Sequence, residues 1–245
     1  MKKVKLLLLL ITLTSTGVLA QQRIAAHITT ESRDTPQRNN ELPRINTADR
    51  NKIIKPYKGQ TIYNINKKTY ETFNGSKWYE SKHFLGEEFG GGVIYSLRDN
   101  GQHGSIISKA DLHCAIQWNN GVDKVIGTLQ EGNESGAKKT ELIVAAQSGD
   151  NPNGIFAAKL CADYTVKQNG QNYSDWHLPS QLEFYRIHEG KNYINGLTDN
   201  YWTSNESSQG NSVVINSAFT YSFIIGDIVS HSRSELKPVR AIRFF

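Results

Sequence analysis

DWHLPSQLEFYRIHE, residues 175–189, puts an aspartate, a histidine and a serine within six positions of one another. Asp175, His177 and Ser180 are the letters of a hydrolase triad, but the spacing around them points to a helix start. Pro179, Ser180 and, three residues on, Glu183 form a capping-box pattern, and Leu182, Tyr185 and Ile187 follow as an inward face. Leu178-Pro179-Ser180 therefore opens a helix, with Ser180 as its cap hydroxyl. A nucleophilic serine sits on a glycine-flanked strand-to-helix elbow and draws its base from a distant segment, and neither condition is met here.

The segments on either side are short and mixed in type. Downstream, 201–204, 217–225, 228–231 and 239–244 read as strands, with Gly226-Asp227 as a tight turn. Upstream, Leu142, Ile143 and Ala146, then Ile155, Ala158, Leu160 and Cys161, recur at helical intervals. One helix interrupted at 149–154, or two short ones, fits them. Further upstream, 92–97 and 105–108 read as two strands joined by an Asp-Asn-Gly turn. Gly90, Gly91 and Gly92 before the first strand permit positive φ or a close backbone approach, but no Gly-Lys-Ser/Thr follows to make a phosphate loop.

Before this region the composition changes twice. MKKVKLLLLLITLTSTGVLA has the cationic start, short apolar run and small-residue exit of a signal peptide over 1–20, so the chain is expected to be exported, to the cell surface, the medium or the periplasm. That apolar run is far shorter than the roughly 20 residues that span a bilayer. Residues 21–55, rich in charged and amide side chains, read as a flexible stalk or a loosely packed leader. Residues 56–83 combine aromatic and β-branched positions with turns at 66–68 and Asn74-Gly75, the pattern of a β-hairpin junction too small to stand alone. The full chain has a formal charge of +5, and loss of Lys2, Lys3 and Lys5 leaves 25 basic against 23 acidic residues, which does not imply nucleic acid. Cys114 and Cys161 either form one bridge in an oxidising compartment or stand as two separate thiols.

Five motifs in order, FGGGVIYSLRDNGQHGSIIS, AAKLCADY, YSDWHLPSQLE, YWTSNE and KPVRAIRFF, resemble the DUF1566 family, the C-terminal domain type of the Legionella collagen-like adhesin. The resemblance covers 84–245, and the hairpin before it resembles those preceding terminal domains in exported proteins of the Bacteroidetes type. It implies an α+β, C-type-lectin-like domain in which two helices flank small antiparallel sheets and the first and last strands pair. Trp176, Leu178 and Pro179 would be core and corner residues, Tyr201 and Trp202 would line the central sheet, and Arg240 would flank the closing strand. The family's adhesin recognises sulfated glycans, yet fold alone does not transfer a ligand. This chain departs from related patterns: the calcium-binding Glu-Pro-Asn and Trp-Asn-Asp loops are missing, and Ala241 stands where many relatives have a cysteine that would pair with the helix cysteine. The reactive cysteine pair of the related oxidases is not legible either.

The expected function is therefore a non-enzymatic surface protein that binds an extracellular glycan or another surface polymer or protein without calcium. Trp118, Lys124, Lys138, Lys139 and Arg233 are its expected contacts, because stacking with cationic hydrogen bonding suits polysaccharides. The competing reading of each is a solvated lysine or a core tryptophan. The alternative function is a trimerising or capping head of a surface filament, a homotrimer joined through the hairpin. An enzyme built on His103, His177 and a carboxylate is the third reading. No cofactor is expected, and the seven histidines show no paired metal spacing.

Overall fold

The computed structural model describes residues 42–129, 135–198, 200–209 and 212–245. The signal peptide expected over 1–20 and most of the stalk lie outside them. The chain begins with β1 (Arg44–Ile45), α1 (Thr47–Asn51), β2 (Thr61–Asn64), β3 (Thr69–Phe73) and β4 (Trp78–Ser81). These strands form one sheet in the order β1-β2-β3-β4, with β1 parallel to β2 and the other neighbours antiparallel. The stretch 42–55, expected to be stalk, is thus structured, and it is held by polar contacts that no apolar period announces. Asn46 accepts from the Asp49 N–H at 2.8 Å to cap α1. Arg50 of that helix reaches both carboxylate oxygens of buried Glu71 on β3 at 2.7 Å.

The remainder is a mixed α/β arrangement of small sheets. β5 (Glu88–Phe89), β6 (Gly92–Arg98), β7 (His103–Ile107) and β15 (Ile242–Phe244) form a sheet in the order β15-β7-β6-β5. The last strand therefore pairs with β7, and β6 lies between β7 and β5, so the first and last strands of this region share a sheet without touching. β8 (His113–Ile116) pairs with β14 (Lys237–Val239), and β11 (Asn200–Gln209), β12 (Ser212–Ser222) and β13 (Asp227–Ser232) form an antiparallel meander. β9 (Val166–Gln168) and β10 (Gln171–Tyr173) make a small hairpin. α2 (Gly136–Gln147), α3 (Ala157–Asp163) and α4 (Gln181–Glu189) are the α-helices of this part, and Asp99–Gly101 and Lys191–Tyr193 are short 3-10 turns.

Adjacent buried residues explain the layering, because successive strand side chains point to opposite faces. Ile94, Ile106, Trp202 and Ala241 join the cluster that contains Ile143, Ala158 and Cys161 of α2 and α3. Their immediate neighbours Tyr95, Ile107, Tyr201 and Ile242 join Phe184 and Ile187 of α4 in a second cluster. Sheet residues therefore meet apolar partners on both faces, which continuous rather than alternating apolar runs require. Gly92 lies against the Ile107 carbonyl, where a Cβ would collide, and Gly90 and Gly91 take φ of 58° and 89°. Both uses of glycine expected from the triplet are present.

The capping box at α4 is complete. Ser180 Oγ accepts from the Glu183 N–H at 3.3 Å, and the Glu183 carboxylate accepts from the Ser180 N–H at 2.8 Å. The inward face differs from expectation: Phe184 and Ile187 are buried, whereas Leu182 and Tyr185 are exposed. Pro179 precedes the cap instead of occupying the first turn, and its carbonyl accepts from the Ser204 N–H at 2.8 Å. Ile155, expected on a helical face, lies outside α3 and is exposed. Ser180→Ala removes the cap acceptor, and we expect it to lower unfolding free energy by about 1 kcal/mol in a denaturant titration, with an unchanged m-value.

Candidate functional site

The five expected ligand contacts do not form a surface. Trp118, Lys139 and Arg233 have no exposed area, Lys124 is half-buried, and only Lys138 is exposed. Trp118 donates its indole N–H to the Thr203 carbonyl at 2.8 Å, while Trp202 donates to the Ile116 carbonyl at 2.8 Å. The two rings lock the end of β8 and its following loop onto β11, so Trp118 is a core tryptophan. Lys124 donates to the Ala146 carbonyl and to Asp150, at 3.1 and 2.6 Å, and Lys138 pairs with Glu141 at 3.1 Å.

Arg233 is the centre of a buried ionic network that sequence spacing does not reveal. Its guanidinium donates to Glu206 at 3.0 Å, to the Lys124 carbonyl at 2.6 Å and to the Ser217 carbonyl at 3.0 Å, and it lies 4.5 Å from the Trp118 ring centroid. Glu206, equally buried, also accepts the backbone N–H groups of Ile126, Gly127 and Thr128 at 2.7–2.8 Å. Burial pulls the guanidinium below its usual value and Glu206 opposes that shift. A buried pair needs further hydrogen bonds to offset its desolvation, and here all three guanidinium nitrogens donate and Glu206 accepts three backbone N–H groups besides. The network is structural, joining β11, the end of β13 and the loop after Trp118.

The triad letters of 175–180 go to separate partners. Asp175 holds Arg243 at 2.6 Å, Ser180 caps α4, and His177 lies 3.4 Å from Glu183. Burial pushes the Glu183 carboxyl up, but His177 and the Ser180 groups outweigh it and hold the carboxyl below its ordinary 4.5. This depressed value makes Glu183 stabilising above that pH, a contribution lost as pH falls through the native value. His103 is exposed and pairs with Asp99 at 3.0 Å, so it does not converge with His177. Glu87 and Glu88 likewise part company, toward His83 and Lys109. Tyr201 and Arg240 both reach Asp111, at 2.9 and 2.7 Å, and Trp176, Leu178 and Pro179 are buried.

An open depression of about 480 Å³ is lined by Lys109, Asp111, Leu112, Leu160, Asp163 and Tyr164. Lys109 is taken by Glu88, Asp111 by Arg240 and Asp163 by Lys159, so its charges are already committed. Among the described residues no group of three His, Cys, Asp or Glu could hold a metal ion. No helix there is long and apolar enough to cross a membrane. Cys114 is exposed on β8 and Cys161 is buried on α3, and both are free thiols. The bridge considered for them is absent because they belong to different environments, and burial raises the Cys161 thiol further above its ordinary value.

The N-terminal sheet is the remaining candidate. By strand register, Ile62, Asn64, Glu71 and Glu80 share one face, where Arg50 and Thr47 of α1 bond Glu71 and Asn64. Thr61, Tyr63, Tyr70, Thr72 and Tyr79 share the other, with the Arg44 guanidinium 4.2 Å from the Tyr63 ring and Phe84 5.0 Å from Tyr70. β1 and β4 are its edges, and Ile54, Tyr57 and Ile65 around it are exposed. The family model described as a phage tail like trimerisation region matches residues 41–96, which span this sheet and continue into β6. A comparison with curated proteins returned no match.

Two measurements check this description. Arg233→Met strands a buried carboxylate, and we expect it to cost about 3–5 kcal/mol in chemical denaturation, with Glu206→Gln in the same chain recovering part of the loss. Strict additivity of the two substitutions would show that the pair is uncoupled. A thiol reagent should modify one cysteine per native chain, Cys114, and two after unfolding.

Proposed function

We propose that the protein is a non-catalytic, exported assembly protein in which the segment 42–96 joins three chains and displays the region 84–245 as a C-type-lectin-like head of the DUF1566 type. The match of 41–96 to a trimerisation region is the observation that supports this reading. The geometry is compatible with it. The four-stranded sheet has two open edges, and Ile54, Tyr57 and Ile65 around it are exposed, features that association with identical copies would cover. A C3 arrangement is closed, so three copies satisfy one another without growing into an open chain.

Glycan recognition by the head was the first expectation from the sequence. With Trp118 and Arg233 buried, that reading has lost the stacking ring and the guanidinium on which it was built. Assembly is the function the geometry supports best. Light scattering on the mature chain across a hundredfold concentration range tests it: the expected mass is three times that of one chain at every concentration. A monomer mass throughout would remove the reading.

A further inference from the structure

The distribution of charge along the structure is uneven in a way that trimerisation would amplify. Residues 42–83 contain nine Lys and Arg against three Asp and Glu, a net of +6, whereas 84–245 contain thirteen against seventeen, a net of −4. Pairing differs in degree. In the C-terminal region Lys109, Lys124, Lys138, Lys159 and Lys237 each sit on a carboxylate, while exposed Arg98, Lys167, Arg186 and Lys191 have no carboxylate partner among the described residues. In the N-terminal segment, among the described residues, Lys55, Lys58, Lys68, Lys77 and Lys82 are exposed and have no carboxylate partner.

Their placement is ordered by the sheet. The β3–β4 turn carries Lys77, and the Lys58 stem packs beside that turn, since a Cβ on Gly75 would lie 3.8 Å from Lys58 Cβ. At the opposite end Lys68 closes the β2–β3 turn, and the pairing of Tyr70 with Ser81 brings Lys82 to that same end. The five residues of β3 separate the two groups by about 15 Å. Lys55 and Lys68 also occupy left-handed backbone, at φ of 56° and 58°, where a residue with a Cβ costs about 1–2 kcal/mol and glycine or asparagine is easier. Basic side chains therefore stand at two positions that backbone geometry alone disfavours.

We propose that this segment is a basic collar that binds a linear polyanion, a chain bearing phosphate or sulfate groups. This rests on the trimer reading for its multivalency, because three collars bring fifteen unpaired lysines together. A polymer fits better than a small anion, since Lys58 and Lys77 stand at one end of the sheet and Lys68 and Lys82 at the other, all on flexible stems. Lysine point charges without a fixed guanidinium fork recognise charge density rather than one planar group. Like-charge crowding among the collars makes binding and assembly linked, so the polymer also stabilises the trimer.

The test uses the mature chain with two probes, inorganic polyphosphate and heparin, titrated at 50 and 200 mM salt while mass is followed by light scattering. About five lysine contacts predict a loss of affinity of about 100-fold between those salts. Lys58→Glu with Lys77→Glu should weaken binding at least tenfold and flatten the salt dependence, whereas Lys138→Glu should leave both unchanged. Binding of polyphosphate alone assigns a phosphate polymer, and binding of heparin alone assigns a sulfated one. A trimer that binds neither polymer overturns the collar and leaves the trimer reading standing. A monomer whose binding is still lost in the double variant keeps the collar and removes the trimer. Binding unaffected by the double variant overturns the assignment to these lysines.

Discussion

The Glu206 carboxylate is the constraint around which the C-terminal region is arranged. A buried carboxylate is stable only if its lone pairs are filled, and here three consecutive backbone N–H groups and the Arg233 guanidinium fill them. Meeting that requirement fixes the loop 126–128 against β11 and draws the end of β13 to the same point. It also seats Arg233 on the face of Trp118, which in turn reaches Thr203 on β11. One charge pair thus specifies the relative position of segments separated by about eighty to one hundred residues.

The same logic of satisfying polar groups organises the N-terminal segment on a smaller scale. Glu71 is buried in a four-stranded sheet, and Arg50, Lys67 and Asn64 surround it. Those partners pull its carboxyl below the ordinary value against the effect of burial. With that charge neutralised from α1 and the β2–β3 turn, Lys55, Lys58, Lys68, Lys77 and Lys82 are left to solvent. The result is a segment whose buried charge is compensated and whose outside is basic.

The triad letters of 175–180 serve a cap, a salt bridge and a buried histidine–carboxylate contact, each explained by local structure. The open depression beside α3 has its charged side chains occupied by partners outside it.

By itself the sequence determined the local elements. The capping box at Ser180, the hairpin turns at Asn74-Gly75 and Gly226-Asp227, and the glycines before β6 follow from contacts within a few residues, and short-range spacing records them. Aromatic and β-branched positions around two turns likewise made β2, β3 and β4 of the N-terminal sheet legible, whereas β1 fell in the expected stalk. Only the tertiary structure decided which side chains are inside. Trp118 and Arg233 look like surface recognition residues when read locally, and they are buried because Glu206 and Thr203, distant in the chain, satisfy them. Segment 42–55 reads as a stalk because it lacks an apolar period, yet Asn46, Arg50 and Glu71 order it through hydrogen bonds that leave no periodic trace. Burial of a polar group depends on partners that the chain brings from afar, and that information exists only once the chain has folded.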